Sequence, residues 1–343
     1  MQRLYRLPDK QLPRFPVAFL TNGGGVTEAT KAEQLTNLLG VHVLPQQVIL
    51  SHTPFRSLVP SFRDLPVLII GRHQSLHVAR EYGFRNVVTS HDLACASSVP
   101  FSPRYKDVHK EQGPTPLSVP PIRAIFVFAD PEDWYTELQI ATDVLLGGGV
   151  IGRRPEQVPP DHPPVQVYFS NPDLVWANAH PVPRFGQGAF ATCLEALYEK
   201  MTGRPLKAKM SFGKPNPEPY RMIERVLEEQ ARALGLGGSG EGEGKGEALP
   251  LTLPHPGVDS KGKAALPPFS AIYAIGDNSA ADVRGANRAG HPWVSVLVRT
   301  GVFSGPPHSN CPTDPAHIVV DHVDDAVQAG LNLYRSKKWH SMR

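Results

Sequence analysis

Short runs that are apolar at almost every position alternate along this chain with stretches whose apolar residues recur every three or four places. The runs fall at 16–20, 48–50, 67–70, 86–88, 124–128, 165–169, 271–275 and 293–298. They are too short for buried helices and lack a polar face, which predicts strands covered on both sides. The 3.6-residue pattern predicts helices over 74–82, 134–146, 188–201, 217–233, 280–289 and 323–333. Another follows Thr27, with Ala32, Leu35, Leu38 and Leu39 on one face and Gly40 as its stop. Strand and helix in this alternation predict an α/β fold with a largely parallel sheet.

Proline and glycine, 36 and 30 residues, interrupt the pattern in three clusters, at 97–121, 234–268 and 304–315. The second contains GLGGSGEGEGKGEALP and is expected to be a flexible, solvated insertion. The stretch 55–183 has its own strand–helix alternation. It is expected to form a domain inserted into a core made of 1–54 and 184–343.

Composition excludes more than it identifies. With 41% hydrophobic and 20% charged residues the chain has the make-up of a soluble globular protein. The net charge of +3 is spread evenly, which argues against a nucleic-acid partner. No apolar run reaches the roughly 18 residues of a membrane span. Cys95, Cys193 and Cys311 are too scattered for a disulfide framework, so a reducing compartment is expected. Arg3, Arg6, Lys10 and Arg14 give the start a basic bias, but Pro8, Pro13 and Pro16 break any amphipathic presequence helix. No secretory apolar region is seen, which argues against export.

Three motifs carry candidate chemistry. Thr21-Asn22-Gly23-Gly24-Gly25 ends a buried strand, where ligands of open α/β sheets bind. Its hydroxyl and exposed amides suit a phosphate oxygen, although a plain glycine turn reads equally well. Gly213-Lys214-Pro215 precedes the 217–233 helix and could hold a fixed positive charge there; a surface lysine in a proline turn is the bland alternative. Ile275-Gly276-Asp277-Asn278 ends a strand, with Asp282 in the next turn. Two carboxylates so placed suit Mg²⁺, and helix capping is the alternative.

Taken in order, T-N-G-G-G, G-K-P and G-D-N-x-x-x-D resemble the haloacid dehalogenase-like (HAD) hydrolase superfamily. The similarity runs from about Phe15 to Leu333 and is greatest to the subfamily with a large α/β cap, in the cat eye syndrome critical region branch. Ser51-His52-Thr53-Pro54, where the chain leaves the core, and Ser170-Asn171-Pro172-Asp173, where it returns, look like the same subfamily. The resemblance implies a Rossmann-like core with an α/β cap, and a Mg²⁺-dependent phosphatase acting on a small phosphorylated metabolite. It implies that Thr21, Asn22, Gly23 and Lys214 bind phosphate, that Asp277 and Asp282 serve the metal, and that Asn171, Asp173 and Asn278 support the pocket. It also implies a mitochondrial location, with cytoplasm as the alternative, and allows a homodimer through the cap.

The family reaction begins on a D-x-D-G motif at the end of a central strand, with the first aspartate as nucleophile and the second as general acid and base. No D-x-D occurs anywhere in the 343 residues. The expectation is therefore a scaffold whose first central strand is missing, through a truncated or alternatively spliced start. Its metal binding would be weakened or absent. The alternative is a non-catalytic protein that binds a phosphorylated ligand or a partner. Gly235-Leu236-Gly237-Gly238-Ser239-Gly240 fits a dinucleotide fingerprint by letter, but no strand precedes it, so a nucleotide-dependent oxidoreductase is disfavoured. His73 and His77 have zinc-pair spacing without a glutamate between them and read as ordinary helix residues.

Overall fold

The computed structural model describes residues 3–5, 13–72, 74–96, 119–236, 269–303, 305–306 and 309–336. His73, most of the 97–121 cluster and 237–268 of the glycine-rich insertion lie outside them. The chain divides into two compact units. Unit 1 comprises Met1–Phe19, Ala32–Ile49 and Pro215–Arg343, and unit 2 comprises Leu20–Lys31 and Leu50–Lys214.

Unit 2 is built on a parallel sheet of β3 (Val67–Ile70), β4 (Val87–Thr89), β5 (Ala124–Val127), β6 (Gln166–Phe169) and β9 (Lys209–Ser211), in the order β4-β3-β5-β6-β9. Successive side chains of a strand point to opposite faces. Leu68, Ile70, Ile125, Val127, Val167 and Phe169 accordingly enter one apolar cluster, and Val67, Ile69, Ala124, Phe126 and Tyr168 the other. Both faces are covered, which is why these runs show no polar alternation. On the second face Phe126 lies at 4.8–5.5 Å between ring centroids from Phe55, Phe62, Phe84 and Tyr168. The expected helices appear as α3 (Ser75–Tyr82), α5 (Trp134–Leu146) and α6 (Gln187–Thr202). The short helices α2 (Val59–Phe62) and α4 (Ser90–Ala96) have too few turns to show a period.

The unit reaches past the boundaries expected from sequence, 55 and 183. β9 pairs with β6, as Val167 with Lys209, so the chain through Ser211 belongs to this sheet and through Lys214 to this unit. Lys209, Met210 and Ser211 are exposed at the sheet's edge and carry no apolar run, so the strand left no hydrophobic signal. A two-stranded hairpin of β7 (Val175–Trp176) and β8 (Arg184–Phe185) was likewise too short to read.

Unit 1 contains a second parallel sheet, β10 (Ile272–Gly276), β11 (Trp293–Val298) and β12 (Ile318–Val320) in that order. Helices α7 (Pro217–Ala233) and α9 (Val323–Ser336) belong to it. The expected 280–289 helix is a π-helical turn, Ser279–Val283, followed by α8 (Arg284–Ala289). The Asn278 side chain accepts from the Ala280 and Ala281 amides, and the Tyr220 hydroxyl donates to the carbonyls of Ala281 and Asp282, which widens this first turn. β1 (Phe19–Leu20) pairs with β2 (Val48–Ile49) as a separate two-stranded sheet. Among the described residues β1 has no other strand partner, and β10 is the edge of its own sheet.

One buried acid in unit 2 makes stability pH-dependent. Glu137 of α5 accepts a hydrogen bond from Ser90, and burial pushes its carboxyl up to about 7, with Ser90 opposing and Asp133 adding. The folded value lies above that of the free side chain. The stabilisation is thus fully present below about pH 4.5 and is lost as pH rises through about 7. Its full size is on the order of 3 kcal/mol. Glu137→Gln should flatten the fall of urea-unfolding stability between pH 5 and 8; an unchanged slope would rule this origin out.

Candidate functional site

The candidate residues divide between the units. Thr21, Asn22, Gly23, Asn171, Asp173 and Lys214 lie in unit 2, and Asp277, Asn278 and Asp282 in unit 1.

In unit 2, Asn22 joins three segments. Its Nδ2 donates to Asp173 Oδ2 at 3.0 Å and to the Lys214 carbonyl at 2.9 Å, while its Oδ1 accepts the Lys214 amide at 2.8 Å. The side chain is 7% exposed, so these bonds satisfy a buried amide that would otherwise be costly. Thr21 accepts the Gly23 amide at 3.0 Å, which curls the loop back over its own hydroxyl. Lys214 donates from Nζ to the Leu20 carbonyl at 3.4 Å, so its ammonium sits where β1 ends. The structure thus brings Thr21, Asn22, Gly23, Asp173 and Lys214 together.

Asn171 supports the cluster from below. Its Oδ1 accepts the Asp173 amide at 2.8 Å, and its own amide donates to Gln187 Oε1 at 2.9 Å. Gln187 donates in turn to Ser170, which bonds to the Phe128 carbonyl and accepts from Ser51. Gln187, Ser170 and Ser51 are buried members of this polar layer that sequence reasoning did not single out. Only the motif neighbours Ser51 and Ser170 carried any signal for it.

Gly213 has to be glycine. Its φ is +69°, and a Cβ there would lie 2.5 Å from the Ser170 carbonyl and 3.0 Å from Asn22 Oδ1. Strain and backbone clash add, so Gly213→Ala should lose about 2–4 kcal/mol in chemical denaturation. A loss below about 0.5 kcal/mol would show that the loop yields.

In unit 1, Asp277 Oδ2 accepts the Val302 amide at 2.7 Å, and its carbonyl accepts the Phe303 amide. Asp282 Oδ2 accepts the Asn278 amide at 3.0 Å, so the carboxylate bends back over the turn that bears it. Asn278 acts as the cap of that turn. Both aspartates brace backbone, and among the described residues no three His, Cys, Asp or Glu side chains gather as a metal site. A resident Mg²⁺ wants several oxygen ligands in near-octahedral geometry. Protein carboxylates usually supply one or two of these ligands and water and phosphate the rest, so Asp277 and Asp282 fit the protein's share of such a set.

A charged cluster lies next to the glycine loop in unit 2. Glu28, the first residue of α1 (Glu28–Leu39), accepts from Thr53 Oγ1 at 2.8 Å, Tyr82 Oη at 2.6 Å and Arg56 at 3.2 Å. Arg56 also lies 4.0 Å from the centroid of the Tyr82 ring. Burial pushes the Glu28 carboxyl up, but Arg56, the Tyr82 hydrogen bond and His52 outweigh it and hold it below its ordinary value. Burial drives His52 down to about 4 against the pull of Glu28, so its ring is neutral at pH 7. In the sequence Glu28 follows the helix cap Thr27 and passes for a routine first-turn acid.

Each unit is a parallel α/β sheet with candidate residues at its strand ends, and comparison with known proteins assigns the chain to a class, the HAD-like hydrolases with a phosphatase-type scaffold. Residues 4–85 match the haloacid dehalogenase-like hydrolase family, and residues 211–326 match the HAD-hydrolase-like family. Over 327 residues the chain is 34% identical to a mitochondrial hydrolase of Saccharomyces cerevisiae, covering 94% of this chain and 87% of that protein. It is 31% identical over 329 residues to a cardiolipin synthase (CMP-forming) / mitochondrial hydrolase fusion protein of Schizosaccharomyces pombe. That match covers 94% of this chain, which spans about half of the fusion protein, 49%. Solved structures of similar fold include a hypothetical protein of Pyrococcus horikoshii, with TM-score 0.54, 17% identity and coverage of 91% and 85%. The 4-nitrophenylphosphatase of Thermotoga maritima is another, with TM-score 0.51, 18% identity and coverage of 91% and 83%. The chain belongs to the haloacid dehalogenase-like hydrolase family.

Proposed function

We propose that the chain binds the phosphoryl group of a small phosphorylated metabolite on its HAD scaffold and, as its 343 residues stand, does not hydrolyse it. Lys214 and Thr21 meet the phosphoryl oxygens, and Asn22 holds their two loops in register. The observation that carries this reading is the triple bond set of Asn22 to Asp173 and Lys214, because it fixes the Lys214 backbone beside a glycine loop while the ammonium reaches the Leu20 carbonyl. The lack of D-x-D supports binding without turnover, since the nucleophilic aspartate of the family reaction belongs to that motif. Asp277 and Asp282 would at most assist a weakly held Mg²⁺.

The fission-yeast fusion favours a second, narrower reading. A hydrolase joined to a cardiolipin synthase points toward a phosphate ester of glycerolipid chemistry as the ligand, and toward the mitochondrion as the place. Calorimetric titration of the protein with orthophosphate and with glycerol 3-phosphate tests both. Binding that Lys214→Ala weakens at least about tenfold is expected, since a charge-assisted contact contributes about 1.5–3 kcal/mol. No heat with either anion would sink the proposal, and equal heat with both would remove the narrower one.

A further inference from the structure

The Ser51-His52-Thr53-Pro54 motif has no role in the function proposed above, yet its histidine is wholly buried directly beneath the glycine loop. A Cβ added to Gly24 would lie 2.8 Å from His52 Cδ2, 2.8 Å from Ser51 Oγ and 2.8 Å from the Phe128 carbonyl. The loop therefore rests on the imidazole edge and on the end of β5. Its flanks are tied as well. The Ser51 amide donates to the Gly23 carbonyl at 3.3 Å, and the Gln74 amide to the Gly25 carbonyl at 2.8 Å.

The ring in turn is fixed from behind. His52 Nδ1 and the Tyr82 hydroxyl are 2.8 Å apart, and that hydroxyl also reaches Glu28 Oε1 at 2.6 Å. Glu28 is held by Thr53 and by Arg56, and Thr53 Oγ1 also accepts the Leu50 amide at 2.9 Å. A buried ion must keep all its partners to remain favourable, so the members of such a chain have little freedom to move separately. The bonds run without a break from Arg56 and Thr53 through Glu28 and Tyr82 to His52, and the His52 ring packs under Gly24.

We propose that this Glu28–Tyr82–His52 chain is a clamp that sets the backbone of Gly23–Gly25, making Tyr82 and His52 positioning residues for the loop. Its effect on ligand affinity rests on the phosphate-binding role proposed above; its effect on the loop does not. The clamp lets the glycines keep the slim backbone that an approaching anion needs while removing the freedom that glycine otherwise brings. A loop so held would present its amides to the anion already arranged, sparing the ordering cost at binding.

Tyr82→Phe tests the clamp, because it keeps the ring and deletes the one oxygen that links His52 to Glu28. Hydrogen exchange of the Gly23–Gly25 amides should accelerate at least about tenfold, while the β5 amides of Ala124–Val127 stay protected. Val78→Ala, in the same helix but outside the chain of bonds, serves as the control: it should lower stability without selectively loosening the loop. Where Tyr82→Phe folds poorly, Thr53→Val, nearly isosteric, removes the next link and should show the same local pattern. Orthophosphate affinity is read alongside and should drop about fivefold or more in the clamp variants. Unchanged loop exchange in Tyr82→Phe and Thr53→Val, or acceleration spread equally over β5, overturns the clamp. A wild-type protein that does not bind orthophosphate, with loop exchange responding as described, overturns the phosphate-binding role and leaves the clamp standing.

Discussion

Incubated with Mg²⁺ and 4-nitrophenyl phosphate, the 343-residue protein is expected to release no nitrophenol above the metal-and-buffer blank. Phosphoryl transfer through an aspartyl-phosphate needs a carboxylate in line with phosphorus, and the sequence holds no D-x-D to provide it. Groups of an activated site act as a unit, so losing the nucleophile costs on the order of 10⁶ in rate even when the binding groups survive. The two aspartates that remain near a strand end are occupied with backbone amides, at 2.7 Å for Asp277 and 3.0 Å for Asp282. A continuous assay with purified protein checks the expectation. Turnover that depends on Mg²⁺ and disappears in Asp277→Asn would refute it and would mean that another carboxylate serves as nucleophile.

Glu28→Ala is expected to be the most damaging single substitution in unit 2, with a loss of about 3–5 kcal/mol in urea unfolding. The size follows from what is left behind. Removing the carboxylate strands the Arg56 guanidinium in a largely buried place and takes the acceptor from Thr53 and Tyr82 together. Glu28→Gln keeps an acceptor for the two hydroxyls and should cost clearly less. The pair of variants therefore separates lost charge from lost hydrogen bonding. The same cluster makes the wild type acid-sensitive. Both Glu28 and His52 have values below their ordinary ones, so the stabilisation is present at neutral pH. It drains away as pH falls, first below about 6.5 as the unfolded histidine takes a proton. A Glu28→Ala midpoint within experimental scatter of wild type would show the cluster to be inert.

The fold was legible wherever burial writes itself into a run of apolar residues. β3, β11, α5 and α7 begin and end where the pattern placed them, because each is covered along its length or along one clean stripe. Legibility failed at edges. β9 is exposed at all three positions, and the 3₁₀ segment Thr53–Leu58 has no repeating stripe, so neither leaves a period to detect. The site was half legible for a similar reason. Thr21, Asn22 and Lys214 stand in motifs whose spacing survives in one dimension. Glu28, Tyr82, Gln187 and Ser170 act only because folding brings together residues as far apart as 54 positions for Glu28 and Tyr82. No local rule could have paired them.

The bonds of Asn22 also have a schedule. Asp173 is 151 residues downstream and Lys214 is 192, so the amide that ties the loop to these two residues has nothing to hold until most of unit 2 has been translated. At about 5–20 residues per second the ribosome needs roughly 10–40 s to supply Lys214. During that interval β3 and β5 can pair, but β6 still lacks its neighbour β9, and Asn22 is not yet joined to Asp173 and Lys214. A nascent chain in this state shows open strand edges and loose apolar rings, the features that holding chaperones recognise. The sheet of unit 2 therefore waits for its last strand, β9, and a pause in translation before Lys209 is expected to prolong the most adhesive stage of this unit.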